Sequence, residues 1–388
     1  MHKVRIPFGA LRPALTVAIA VVASGWALAQ FMSQLVPLQP QQPAGSLPPG
    51  TELIYRVTSA SHPGPSAGPD ARVVAGEGFS VVTVHAWEET GCVVTVTMYA
   101  LHPLDGSLGS AGSQPVLGTP DECGDIWMSG PALAGAERTA DQHTTVGSGP
   151  LEVNGRTYET VIINHDPQQG RPYSRTAYDH TTGVLVFSSG GYGDRSWGAT
   201  PSMASQSSIM QLLEVRRPQL PWSAHGALPA ALSGLTGLSY EGRQTLSFPA
   251  ITTYDSSVVS QLTAQYRLRQ ATPGWLLFDV QTTVNVPGSP PLSEAGTNLV
   301  SGSTGHHIPP EVLARLTPGQ LLDSSPHLGM QVTVEQDEGG YAVIASRARG
   351  FVSYAFYDRA TGLQVAVQVE ERNQDTFTYT EVWLTGAE

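Results

Sequence analysis

Alternation with a period of two residues is the clearest pattern in the chain. Leu262, Ala264, Tyr266 and Leu268 alternate with Thr263, Gln265, Arg267 and Arg269. Leu363, Val365, Val367 and Val369 alternate in the same way with Gln364, Ala366, Gln368 and Glu370. Successive side chains on a strand point to opposite faces, so each segment predicts a strand with one buried and one wet face. That habit belongs to antiparallel sheets; strands of parallel sheets are apolar on both faces. Residues 93–99 (VVTVTMY) are apolar on both sides at the start, which predicts a strand covered on both faces. Helical patterning is confined to residues 309–316 (PPEVLARL), with Pro318-Gly319 as the stop, and more weakly to residues 230–235. Residues 104–122 and 285–305 are rich in Gly, Ser and Pro and read as loops that follow an early hairpin.

The chain also repeats itself. Tyr178-Asp179-His180-Thr181-Thr182-Gly183 and Tyr357-Asp358-Arg359-Ala360-Thr361-Gly362 share the pattern Y-D-x-x-T-G, and each runs into an apolar strand. Tyr158 and the apolar residues after it match Tyr341 and its followers, and Gly91-Cys92 matches Gly274-Trp275. Three matches in one order at nearly constant spacing point to duplication. The motif has a local reason. An Asp side chain caps a turn by accepting from backbone N–H groups two or three residues on, and Gly accepts positive φ. Asp179, Gly183, Asp358 and Gly362 are therefore structural turn residues, with paired catalytic or metal carboxylates at the two Asp positions as the alternative. A β-branched residue at Gly362 would cost about 1–2 kcal/mol from backbone strain alone.

Composition sets the compartment more than the chemistry. Only 13% of the 388 residues are charged, while 41 Gly and 30 Pro favour many turns. Lys3, Arg5 and Arg12 precede an apolar run at residues 14–23, and Ala27-Leu28-Ala29 supplies small residues for a cleavage site. Residues 1–29 thus read as a signal peptide, or as an N-terminal anchor if the apolar stretch extends to Leu38. Residues 30–50 form a Pro/Gln-rich linker. Residues 51–217 and 234–388 are two β repeat units, joined by a proline-rich linker at 218–233. In an exported chain the two cysteines, Cys92 and Cys123, predict one disulfide. The net charge of −12 disfavours nucleic acid, whose phosphates need a basic footprint.

Catalytic and cofactor signatures are missing from the sequence. G-x-S-x-G does not occur, and residues 188–198 (SSGGYGDRSWG) lack the lysine of a phosphate loop. His306-His307, Asp323 and His327 invite a metal, but adjacent histidines on a strand point to opposite faces. Glu370-Glu371 and Glu88-Glu89 read as solvated charges. Catalytic, cofactor and metal residues are accordingly assigned to none.

The expected fold is all-β with one or two short helices: two duplicated antiparallel curved-sheet units of sandwich or half-barrel type. Curved sheets behind an export signal resemble, in architecture, the half-barrel lipoprotein carriers of bacterial envelopes. The expected function is that of an exported, non-catalytic envelope protein, periplasmic, extracellular or at the cell surface. Its partner would be an apolar or extended ligand or an envelope protein, with membrane contact only through a retained N-terminal segment. A structural component presenting sheet edges, and a hydrolase using loop carboxylates or histidines, are the alternatives.

Overall fold

A computed structural model describes residues 47–62, 74–88, 91–136, 138, 140–166, 172–192, 205–222, 228–248, 257–335, 340–373 and 376–388. The expected export signal, its cleavage site and Glu89 lie outside these residues. The chain is mostly strand, arranged in two antiparallel sheets. The first holds β1 (Glu52–His62), β2 (Val74–Glu88), β3 (Gly91–Leu101), β4 (Leu108–Leu117), β5 (Thr144–Val153), β6 (Arg156–His165), β7 (Tyr173–Asp179), β8 (Leu185–Tyr192) and β9 (Ser205–Arg216). The second holds β10 (Gly237–Ser247), β11 (Ser257–Ala271), β12 (Trp275–Asn285), β13 (Leu292–Ser301), β14 (Leu321–Ser325), β15 (Met330–Val334), β16 (Tyr341–Ala348), β17 (Phe351–Asp358), β18 (Gln364–Arg372) and β19 (Phe377–Ala387). Among the described residues, α-helix is limited to α1 (Gly130–Ala136), α2 (Ala230–Ser233) and α3 (Pro310–Leu313), with one 3-10 turn at Gly124–Ile126.

Both sheets share one plan. Their orders are β4-β3-β2-β1-β9-β8-β7-β6-β5 and β13-β12-β11-β10-β19-β18-β17-β16-β15-β14. Each begins and ends at its centre, so the link from β4 to β5, or from β13 to β14, must travel from one edge to the other. In the first half that crossing segment contributes Ile126, Trp127, Met128 and Leu133 to a single core with Tyr55, Val84, Val161, Leu185 and Leu212. Residues drawn from strands across the whole sheet can share one core only if the sheet curls around the segment.

The Y-D-x-x-T-G hairpins hold the crossing segments in place. Asp179 Oδ2 accepts from Thr182 N at 3.0 Å, and Asp358 Oδ1 from Thr361 N at 2.7 Å. Gly183 and Gly362 have φ of 72° and 75°. Met128 N donates to Gly183 O, and Ile308 N to Gly362 O, both at 2.9 Å. Trp127 Nε1 donates to Thr182 O in the first half, and His307 Nε2 meets Thr361 O in the second. Even the motif tyrosines repeat: Tyr178 Oη donates to Asp125 O and Tyr357 Oη to Gly305 O.

One brace is not duplicated. Cys92 and Cys123 are bonded, with Cα atoms 5.7 Å apart, and tie β3 to its crossing segment. Trp275 stands at the start of β12; the sequence match sets it against Cys92, but the pairing registers give that place to Leu276, on the opposite face of the strand. Trp275 packs with Leu277 and Leu299 against Val93 of the first half. Val94 lies in the first core, so β3 is covered on both faces where it begins. A second contact between halves joins Ile54, Phe79, Val81 and Leu108 to Leu328 and Phe351.

Two expected loops are wrong in part. Residues 108–117 and 292–301 form β4 and β13. Each is an edge strand paired on one side only, where small polar residues and even Pro115 cost no ladder bond. Helix α1 (GPALAGA) follows no apolar period and was not expected from the pattern.

Candidate functional site

The inner face of the second sheet offers the site. Leu238, Tyr266 and Phe278 belong to a core cluster and mark that face on β10, β11 and β12. Farther along the strands, pairing aligns a row of inward positions. Gly242 stands opposite Leu262 on one side and Val382 on the other. Leu262 stands opposite Val284, Val382 opposite Val367, and Val367 opposite Ala355. This row crosses six strands and is wholly apolar, yet every member except Gly242 is partly exposed. The next row is polar: Ser260, Gln244, Thr380, Ser353 and Ser346, interrupted by Val369. Gln244 Nε2 donates to Thr380 Oγ1 at 3.2 Å.

The first half shows what closing such a face requires. Tyr55 and Tyr240 each sit beside the one bulge of their central strand pair, which equates the two positions. Val57 then corresponds to Gly242, and Met210 to Val382. Tyr55, Val57 and Met210 are buried, at 0%, 6% and 7% exposure. Their counterparts Tyr240 and Val382 are partly exposed. Gly and Val in place of Val and Met remove side-chain volume from the two central strands, while Leu262 in place of Gly78 adds it on the next strand, so the apolar bulk is shifted off the centre of the sheet. The second half accordingly has two separate clusters, one around Ile308 and Leu313 and one around Leu276 and Phe278. Gly242 is fixed by close approach: a Cβ there would lie 2.2 Å from Glu381 O.

Charge is distributed unequally on this sheet. The register places Arg243 beside Glu381 and Arg347 beside Val352, on the face opposite the core. Arg243 pairs with Glu381 at 2.6 Å. The inward side carries Glu371 near the far end, where its carboxylate accepts from Ser110 N at 2.8 Å. Burial raises the Glu371 pKa, and the bond from Ser110 opposes that shift.

A second polar cluster lies between the halves. His85 Nδ1 is 2.8 Å from Ser303 Oγ, and Nε2 is 2.8 Å from Thr95 Oγ1. His306 Nδ1 is 2.9 Å from Thr304 Oγ1. Burial holds both imidazoles at a pKa of about 4, and for His85 the nearby His306 adds to the effect. A serine beside a histidine suggests nucleophilic chemistry, but here a hydroxyl takes the place of the orienting carboxylate. A base with so low a pKa accepts protons poorly at neutral pH. The neutral ring donates to one hydroxyl and accepts from the other, which ties β2 and β3 to the end of β13.

The residues singled out in the sequence do not converge. Asp179 and Asp358 lie on different sheets, each bonded to its own threonine. Hydrogen bonds from the Thr361 backbone, then from its hydroxyl, hold the Asp358 pKa below the usual carboxylate range. Asp323 is engaged with Arg216, and His327 Nε2 is 3.9 Å from Glu214. No group of three metal-ligating side chains occurs among the described residues. The inward row was hidden from sequence reasoning because alternation identifies the face of a strand and not how far along it the packing continues.

No family model matches the chain, and no curated protein matches it. Among solved structures, it is similar to a protein from Nitrosomonas europaea provisionally named AttH, at 11% identity and a TM-score of 0.17 over 90% of this chain and 99% of that one. A likeness at that score supports no functional conclusion.

Proposed function

We propose that the protein is an exported, non-catalytic binding protein of the cell envelope that holds an apolar ligand on the inner face of its second sheet. The observation that carries this reading is the row Val284, Leu262, Val382 and Val367. It is inward-facing, apolar and partly exposed, whereas the first half buries Val57 and Met210 at the central positions and has Ala100, Gly78 and Ser188 in place of Val284, Leu262 and Val367. Apolar surface left accessible inside a fold costs about 25 cal/mol for each Å² and is regained when a ligand covers it. Export is supported by the N-terminal pattern together with the disulfide, a bond that persists in oxidising compartments.

Native mass spectrometry of protein purified from its source tests the binding. A retained small molecule, released on denaturation, is the expected result. Protein that carries nothing, and that takes up no apolar probe when offered one, would refute it. N-terminal sequencing of the same material tests export, with a start at Gln30 expected.

A further inference from the structure

We infer that the ligand is an uncharged amphiphile: an apolar body along the Leu262–Val382–Val367 row, with a hydroxyl- or carbonyl-bearing end against the hydroxyl and amide groups beside it. The inference rests on the proposed binding function and adds the chemical class of the ligand. Its first support is the order of the rows. Immediately past the apolar row, β11, β10, β19, β17 and the neighbouring β16 present Ser260, Gln244, Thr380, Ser353 and Ser346 on the same face, interrupted by Val369 of β18, with all the polar members but Ser260 partly exposed. Hydroxyls and an amide both donate and accept, which suits an alcohol, ester or amide. A plain hydrocarbon would leave those groups to lose water without replacement.

The second support is charge. Binding sites for fatty-acid carboxylates need a cation, because an unpaired carboxylate resists transfer out of water. Lys3 is the sole lysine in the chain, and Arg243 and Arg347 point to the outer face. Among the described residues, the ionisable groups that the register brings to the inward rows are Glu371, Glu294 and Asp323, which would repel an anion, and the one cation beside them, Arg216, is already bonded to Asp323 and Glu52. The third support is enclosure. Phe351 and Val369, at the far end of this face, pack against Ile54, Phe79 and Val81 of the first half. A headgroup beside Ser353 would thus lie close to the contact between the halves rather than in bulk water.

The test uses the full mature chain, the uncharged dye Nile red, and matched series of linear alcohols and fatty acids from octyl to octadecyl. Nile red fluorescence should rise on binding and fall back as competitors displace it. Alcohols should displace the dye at concentrations roughly tenfold or more below those of the matching acids at neutral pH. The substitution Val382→Phe, which fills the apolar row, should abolish dye uptake with the unfolding transition retained. Leu262→Phe serves in the same role if Val382→Phe fails to fold. Dye uptake with equal or better displacement by the acids would overturn the neutral-ligand inference and leave the apolar site standing. Absence of dye uptake by the unsubstituted protein would overturn both.

Discussion

Replacing Gly362 by Ala should destabilise the protein by about 3–6 kcal/mol, well beyond the ordinary cost of a turn glycine. The backbone accounts for part of this: φ is 75°, and an L residue in that region costs about 1–2 kcal/mol. Contact accounts for the rest. A Cβ at position 362 would lie 2.2 Å from Ile308 O and 2.8 Å from His307 Nε2. Those atoms are held by the Ile308 N to Gly362 O bond, and Ile308 and Leu313 are both 0% exposed. Retreat of the crossing segment therefore weakens a hydrogen bond worth about 1 kcal/mol and disturbs a packed core, which typically adds about 1–3 kcal/mol. Gly183 has the same surroundings, with Met128 O at 2.0 Å from its would-be Cβ.

The controls come from the same molecule. Gly155 (φ 73°) and Gly319 (φ 82°) share the backbone conformation but have nothing within 4 Å of a would-be Cβ. Alanine at either position should cost only the backbone share, about 1–2 kcal/mol. Urea unfolding followed by tryptophan fluorescence measures all four, since Trp127 and Trp275 are buried in different halves. A Gly362→Ala cost no larger than that of Gly319→Ala would refute the claim that these hairpins clamp the crossing segments.

Three further outcomes follow from the packing. Arg216 bonds both Glu52 and Asp323, so Arg216→Leu should cost about 3–5 kcal/mol at pH 7. That loss should shrink near pH 5, because burial already raises the Glu52 pKa and the freed carboxylate can take a proton; an equal loss at both pH values in urea titrations would contradict this. His85 has a folded pKa of about 4 against 6.5 when unfolded. Its contribution is intact above pH 6.5 and drains as pH falls to about 4, by about 3 kcal/mol, so His85→Gln should flatten the acid limb of a stability–pH curve. The Tyr55 hydroxyl is buried without a hydrogen-bond partner, so Tyr55→Phe should leave stability unchanged or raise it by about 1 kcal/mol in a thermal melt.

Much of the architecture was legible because its causes are local. Period-two alternation at 262–269 and 363–370 reports a strand's wet and dry faces directly. The motif Asp and Gly encode a turn within six residues. Edge strands β4 and β13 escaped because an edge needs no apolar face; Gly109, Gly112, Ser293 and Gly296 satisfy the ladder as well as valines would. The candidate site escaped for another reason. Its rows assemble residues from six strands, and no property of Leu262 alone indicates that Gly242 and Val382 will be its neighbours. The correspondence of Val57 with Gly242 emerges only once the bulges beside Tyr55 and Tyr240 fix the register.

The duplication gives that difference its meaning. Two halves with one topology and one set of hairpin clamps share the same folding requirements, so divergence between them isolates what each is relieved of. The first half keeps a single core and gains the Cys92–Cys123 brace, which stabilises by about 3–4 kcal/mol in the chain-entropy model. The second has Leu276 where the first has Cys92, His307 where the first has Trp127, and Gly242 and Val382 where the first has Val57 and Met210. The changes at the last two positions lower the volume buried at the centre of the sheet, with Leu262 in place of Gly78 beside them, and such losses are tolerated when stability is supplied elsewhere. The supply is visible in the contacts between halves: Trp275 packs on Val93, Phe351 meets Tyr99 edge to face, and Arg216 reaches Asp323. A closed half that supports an open one fits the proposed role, in which one copy of the duplicated fold is kept for stability and the other is released to bind.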